Sequence, residues 1–205
     1  MNASRTALVT GANQGLGRAL VEGLAARMAP QDRVLLTGRD PERVNTAVAA
    51  IAAGPAVAHL EGRVLDVRDA DAITALAAEL GEVDIVFSNA TARMSPDADP
   101  ADEVDVVAET NNLATTRILR AFAPRLRSGG RLIVVASALG TLDKLDDRIA
   151  GRFAGATASL DAVDALVTEW RQAVHDGQAQ DEGFGTWLNI PSKGRPGSRR
   201  PRHRP

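Results

Sequence analysis

Apolar residues recur in two rhythms along the first 140 positions: short continuous runs alternate with stretches spaced three and four residues apart. The runs at 6–10, 33–37, 60–66, 83–87 and 131–136 read as strands. Between them lie helical patterns. One starts at Gly15 and sets Leu16, Leu20, Val21 and Leu24 on one face. A second opens on Asp40 and Pro41, a good N-cap and first-turn pair, and a third starts at Asp69. A long helix is expected over 103–126, with Gly129 and Gly130 separating it from the fifth run. Strand alternating with helix predicts an α/β fold, and strands this continuously apolar fit a parallel sheet covered on both faces.

After Gly140 the rhythm changes. Residues 141–180 read as helical and amphipathic, with Leu160, Val163, Val167, Trp170 and Val174 at the spacing of a core-facing stripe. Residues 194–205 have no periodicity, hold five arginines and no acid, and are expected to be a disordered Arg/Pro-rich tail. The predicted organisation is one domain over 1–193 with a helical insert at about 141–180, followed by that tail.

Composition narrows the function classes. With 205 residues, 44% of them hydrophobic, a full core is affordable. The absence of cysteine excludes disulfides, thiolate metal sites and a cysteine nucleophile, and no metal site is expected. No window is apolar enough to span a bilayer, and the first five residues are too short and polar for a signal peptide, so a cytoplasmic protein is expected. Net charge is −2, but setting the tail aside leaves −7 on the body, 19 basic against 26 acidic residues. A body that acidic argues against a broad nucleic-acid surface.

The sharpest signal is Thr10-Gly-Ala-Asn-Gln-Gly-Leu-Gly17, placed between the first strand and its helix. Gly11 permits a tight turn, Gly15 lets the backbone approach a pyrophosphate, and Gly17 allows helix and strand to pack closely. The helix N-terminus then offers unpaired N–H groups and the positive end of its dipole to phosphate. An acidic residue closing the second strand would bond a ribose hydroxyl and repel a 2′-phosphate. That place holds Gly38 followed by Arg39, whose guanidinium can grip a phosphate, while Asp40 is explained as a helix cap. NADP is therefore favoured over NAD.

The spacing TGxxxGxG resembles that of the short-chain dehydrogenase/reductase family, and further landmarks follow in order. Asp66-Val67 matches the adenine-contacting aspartate and its neighbour, Ser88-Asn89-Ala90-Thr91 the Asn-Asn-Ala-Gly stretch, and Asn111 the structural asparagine of the long helix. Ser137-Ala-Leu-Gly140 matches the stretch that supplies the catalytic serine. The resemblance implies a doubly wound Rossmann sheet of order 3-2-1-4-5, here truncated after strand five. It also implies Gly11, Asn13, Gly15, Leu16 and Gly17 at the pyrophosphate, Arg39 at the 2′-phosphate, Asp66 and Val67 at adenine, and Asn89 and Ala90 on the ribose side.

The insert narrows the resemblance to the carbonyl-reductase-like subgroup, whose members tend to be monomers where the wider family commonly dimerises; a monomer or homodimer is expected. In the family a Tyr-x-x-x-Lys pair follows, in which lysine lowers the phenol's pKa so that tyrosine exchanges a proton with the carbonyl oxygen. This chain has no tyrosine. Asn189-Ile-Pro-Ser-Lys193 stands in its place, so Ser137, Asn111, Lys193 and Asn189 are the candidate catalytic set. Asparagine donates a hydrogen bond but cannot ionise. With GC-rich codons and a one-base shift, residues 194–205 can read as a small-residue helix like the one the family carries after its lysine, so the C-terminal part is expected to be missing or frame-shifted. Three functions remain open: an NADP-dependent oxidoreductase acting on a small carbonyl or alcohol substrate, an NADP-binding protein without turnover, and polyanion binding through the basic tail.

Overall fold

A computed structural model describes residues 4–93, 95, 97–137, 146–156 and 159–184. Five strands, β1 (Thr6–Val9), β2 (Arg33–Gly38), β3 (His59–Val64), β4 (Val83–Ser88) and β5 (Leu126–Val134), form one parallel sheet in the order β3-β2-β1-β4-β5. This is the expected doubly wound order. The central strand β1 sets Leu8 opposite both Leu35 and Val86. Because successive strand residues point to opposite faces, Ala7 and Val9 join one core layer and Leu8 the other.

The first layer packs β1 and β2 against α1 (Gly15–Ala25) and α2 (Pro41–Ala52), through Val21, Ala25, Val44, Ala47 and Ile51. The second packs the opposite face against α3 (Ala70–Leu80) and α5 (Ala114–Phe122), through Ile73, Ala77, Ile118 and Phe122. The predicted helix starts are borne out. Asp40 accepts from Glu42 N at 2.9 Å and Arg43 N at 3.1 Å, with Pro41 in the first turn, and Asp69 accepts from Ala72 N at 2.9 Å.

Three boundaries differ from the sequence reading. β3 ends two residues earlier than expected, because it is an edge strand whose Glu61 and Arg63 pair with Arg33 and Glu79 instead of entering a core. The long helix begins at Pro100, where Asp99 caps Ala101 N at 2.9 Å, and it is not uniform. It runs as α4 (Pro100–Val107), a π-helical turn over Ala108–Leu113, α5 and a last 3₁₀ turn over Ala123–Arg125. Strand β5 begins at Leu126, and Gly129 and Gly130 lie inside it as an irregularity between the Val83–Leu126 and Ile85–Arg131 pairs. Gly129, with φ of 80°, supplies the bend that lets both segments pair with β4.

The insert forms α6 (Asp147–Ala156) and α7 (Leu160–His175). The stripe read from sequence does face a core: Val167 and Trp170 are buried with Ile149, Val104, Val107, Ala108 and Phe184. None of the described helices is long and apolar enough to cross a membrane.

Candidate functional site

The carboxyl ends of the strands open into a cleft of about 1030 Å³. It is bounded by the glycine turn after β1, the end of β2, the loop after β3, the segment after β4, the π-helical turn and the end of β5. This is the switch point between β1 and β4, where doubly wound sheets place ligands.

Each glycine of the turn has a separate task. Gly11 adopts φ of 61°, and a Cβ there would lie 2.6 Å from Ala90 Cα. A Cβ on Gly17 would lie 2.5 Å from Asn89 Nδ2 and 2.7 Å from the Gly11 carbonyl oxygen. Gly15, with φ of 56°, would meet nothing within 4 Å, so bare backbone faces open space. Gln14 gives α1 no side-chain cap, and the first turn carries no acid. The first turn's N–H groups and positive dipole end are left for an external anion. A diphosphate fits this cradle in both space and charge.

Thr10 and Asn89 hold the turn in shape. The Thr10 hydroxyl accepts from Asn89 N at 2.9 Å and Ala90 N at 3.1 Å. Asn89 Nδ2 donates to the Thr10 carbonyl at 2.9 Å and to that of Gly11 at 3.2 Å. Asn89 lines the cleft as expected, but its amide N–H groups are spent on bracing the turn.

At the far end of β2, Gly38 is buried beside Asn13, whose Oδ1 lies 3.2 Å from where a Cβ on Gly38 would sit. Arg39 follows and lines the cleft, and among the described residues it makes no hydrogen bond or ion pair. Sequence reasoning missed a second guanidinium, Arg43, whose Nη2 donates to Gln14 Oε1 at 2.5 Å. The signal was available. Arg43 lies one turn after Arg39 on a helix opened by Asp40, and helical side chains lean toward the N-terminus.

Asp66 and Val67 stand in the loop after β3, Asp66 half-buried and Val67 buried. Hydrogen bonds from the Arg68 side chain hold the Asp66 carboxyl below its usual value, against the opposing effect of burial. The Arg68 backbone N–H and the charges of Arg68 and Arg39 act in the same direction. Arg68 also lines the cleft and was not singled out from sequence.

The opposite end of the cleft gathers Asn111, Ser137 and part of the insert. Asn111 sits on the π-helical turn, a distortion often found at functional positions. Its Oδ1 accepts from Ala92 N at 2.7 Å and from the Thr91 hydroxyl at 3.1 Å, while its Nδ2 donates to the Ala92 carbonyl at 3.1 Å. Ser137 lines the same cleft beyond β5, with Leu119, Leu160 and Val163 as apolar wall. Asn111 and Ser137 are thus brought to one cleft with the glycine turn. Asn189, Lys193 and the arginine-rich tail lie outside the described residues.

Comparison with known proteins agrees with this geometry. Residues 5–174 match the short chain dehydrogenase family model. Carbonyl reductase [NADPH] 1 of Sus scrofa is 27% identical over 190 residues, covering 88% of this chain and 64% of the relative. An uncharacterized oxidoreductase of Myxococcus xanthus is 39% identical over 145 residues, 66% of this chain and 55% of that protein. The chain therefore spans roughly half to two thirds of the length of the curated relatives it matches. Among solved structures, menthone neomenthol reductase from Mentha piperita shares the fold with a TM-score of 0.75 at 20% identity, over 92% of this chain and 80% of that one. A metagenomic short-chain oxidoreductase, solved in complex with NADP, is 28% identical with a TM-score of 0.57, over 85% of this chain and 78% of that one. A sheet of order 3-2-1-4-5, a glycine turn under a cleft and a family match over most of the chain converge on one statement: the chain belongs to the short-chain dehydrogenase family.

Proposed function

We propose that this protein binds NADP(H) and acts as a short-chain oxidoreductase on a small carbonyl or alcohol substrate. The observation that carries the cofactor choice is Arg39, a guanidinium without a hydrogen-bond or ion-pair partner among the described residues, standing where an NAD-specific site would hold a carboxylate. Gly15, Leu16 and Gly17 would hold the pyrophosphate with Gly11 and Asn13 beside them. Arg39, with Arg43 next to it, would hold the 2′-phosphate, Asp66 and Val67 the adenine, and Asn89 and Ala90 the ribose side. When bound, the nicotinamide supplies or accepts a hydride. Ser137 would orient the substrate oxygen by a hydrogen bond, Asn111 fixes the segment after β4 against the π-helical turn, and Lys193 would hold the nicotinamide ribose. Carbonyl reductases among the relatives, and the NADP complex of a solved relative, support this reading.

A second reading is favoured by composition: the chain has no tyrosine. General acid catalysis contributes about 10²–10⁴-fold, so a site offering Asn189 where the family has tyrosine loses at least that much unless another group moves the proton. The protein would then bind cofactor without turnover.

Titration with NADPH and NADH, alongside NADPH oxidation over a panel of aldehydes and quinones, separates the readings. The oxidoreductase reading expects turnover that Ser137→Ala abolishes; the binding-only reading expects saturable NADPH binding and no turnover. Arg39→Ala should weaken NADPH by about 10–100-fold, the equivalent of one or two charge-assisted hydrogen bonds, and leave NADH unchanged. Equal affinity of the native protein for both dinucleotides would remove the case for NADP.

A further inference from the structure

Charge is unevenly placed around the cleft. Six charged side chains line it among the described residues, and five of them, Arg39, Asp40, Arg43, Asp66 and Arg68, follow β2 and β3 at the end read as the phosphate and adenine site. The sixth, Arg93, stands apart. It follows β4 and lies at the end of the cleft that holds Asn111 and Ser137. The wall there is otherwise neutral, with Leu119, Leu160 and Val163 as its apolar part.

Arg93 is held at its backbone and left open at its side chain. Ser88 pairs with Val134, and its carbonyl accepts from Val135 N at 2.9 Å, so the segments leading to Arg93 and Ser137 leave neighbouring strands together. Asn111 bonds both backbone groups of Ala92, the residue before Arg93. Two residues beyond it, Ser95 N donates to Glu103 Oε2 at 2.8 Å. Further along the same long helix, Asp105 contacts His175, and Glu109 is paired with Arg117 and Arg171. Of the four arginines lining the cleft, Arg43 is engaged by Gln14 and Arg68 by Asp66. Arg39 and Arg93 make no hydrogen bond or ion pair among the described residues. A guanidinium in that state, beside an apolar wall and a serine, suits a ligand with an apolar body and one anionic end. Its planar fork meets a carboxylate through two parallel hydrogen bonds, and its single charge balances the single charge of a carboxylate rather than the two of a phosphate.

We propose that Arg93 sets the substrate class: the protein takes carbonyl or alcohol compounds whose apolar body carries a carboxylate away from the reacting carbon. The inference rests on the reading of the cleft as an NADP(H) oxidoreductase site and deepens it at the end opposite the phosphates. Arg93 binds the carboxylate and takes no part in moving the proton or the hydride. Because Arg93 is exposed, solvent and salt weaken the contact, so its effect is set at the lower end for a charge-assisted bond.

The test compares 4-carboxybenzaldehyde with the neutral 4-formylbenzamide on the full chain and on Arg93→Gln and Arg93→Lys. Binding to the NADP⁺-saturated protein is read by calorimetry and turnover as NADPH oxidation, and binding alone decides if turnover is absent. The native protein should bind the carboxylate about tenfold more tightly than the amide, a preference that shrinks as salt is raised. Arg93→Gln should bring the two ligands to within about twofold. Arg93→Lys keeps the charge without the planar fork and should retain part of the preference. NADPH affinity should stay within about twofold of native in both variants, since Arg93 stands away from the phosphate end. A marked loss of NADPH affinity in Arg93→Gln would assign the guanidinium to the cofactor and overturn the proposal. Equal binding of the two aldehydes by the native protein, no binding of either, or a preference that survives in Arg93→Gln overturns it while the cofactor reading stands. A native protein that binds neither NADPH nor NADP⁺ overturns both.

Discussion

The two ends of the same strands are finished in opposite ways. At the amino ends two carboxylates are closed in by donors. Asp32, with 2% of its side chain exposed, accepts from Arg5 N at 2.9 Å, Ala29 N at 2.9 Å, and Arg5 Nε and Nη2 at 3.1 and 2.8 Å. Asp84 accepts from Thr6 N at 2.7 Å and Arg127 Nη1 at 3.0 Å. At the carboxyl ends Gly15 faces empty space, α1 starts without a side-chain cap, and Arg39 has no hydrogen-bond or ion-pair partner among the described residues. Internally satisfied groups stabilise the fold, whereas unsatisfied ones at a rigid edge have their interaction energy left for a ligand. Stability and binding are therefore separable along each strand, and substitutions at the two ends should divide them.

The largest effect is expected at Gly17. In Gly17→Val the new side chain would press on Asn89 Nδ2 and on the Gly11 carbonyl, so the brace and the turn must both shift. Loss of two aligned phosphate contacts predicts roughly a 100-fold or greater fall in NADPH affinity by titration. Overpacking should cost about 1–3 kcal/mol of stability as well. Native affinity in this variant would mean that the turn is not the phosphate cradle.

Asp32→Asn should do the reverse. Burial raises this carboxyl's pKa, but hydrogen bonds from the backbone of Arg5 and Ala29 and from the Arg5 guanidinium outweigh it and leave the value lowered. A lowered folded-state pKa contributes stability that is fully present above the unfolded value near 3.9, and is lost as pH falls through the folded value. The amide keeps the shape but sets N–H groups against donors, predicting a loss of about 2–3 kcal/mol at neutral pH. The variant's denaturation midpoint should fall less than the native one as pH drops below about 4. NADPH affinity should not move; a parallel loss of affinity would show that the two ends are coupled.

What could be read in advance follows the same division. Gly11, Gly15, Gly17 and the Asp40 cap were legible because each follows from local chemistry, the parallel α/β fold because it follows from the alternation of apolar runs, and the strand order through the family resemblance. Arg43 and Arg68 were not singled out although each had a local signal, Arg43 one turn after Arg39 and Arg68 two residues after Asp66; only their contacts with Gln14 and Arg117, 29 and 49 residues away in sequence, were out of reach. Gly129 and Gly130 looked like a separator, because a bend inside an edge-proximal strand and a loop before it leave the same glycines in the sequence. The π-helical turn carrying Asn111 left no compositional trace, as it adds one residue to a helix whose apolar spacing is otherwise ordinary.

The smallest predicted effect bears most directly on which end is unfinished. Leu16 opens α1 with 57% of its surface exposed, an apolar side chain at the rim of a charged cleft. Since water already covers it in the folded chain, Leu16→Ala should change stability by no more than about 0.5 kcal/mol. A dinucleotide laid across the turn would cover much of that surface, and half-burying a leucine is worth roughly 1 kcal/mol. The expected outcome is about a fivefold loss of NADPH affinity with an unchanged melting temperature. An unchanged affinity would mean that the ligand does not pass over the start of α1, and would shift the binding path toward Arg39 and Asp66 alone.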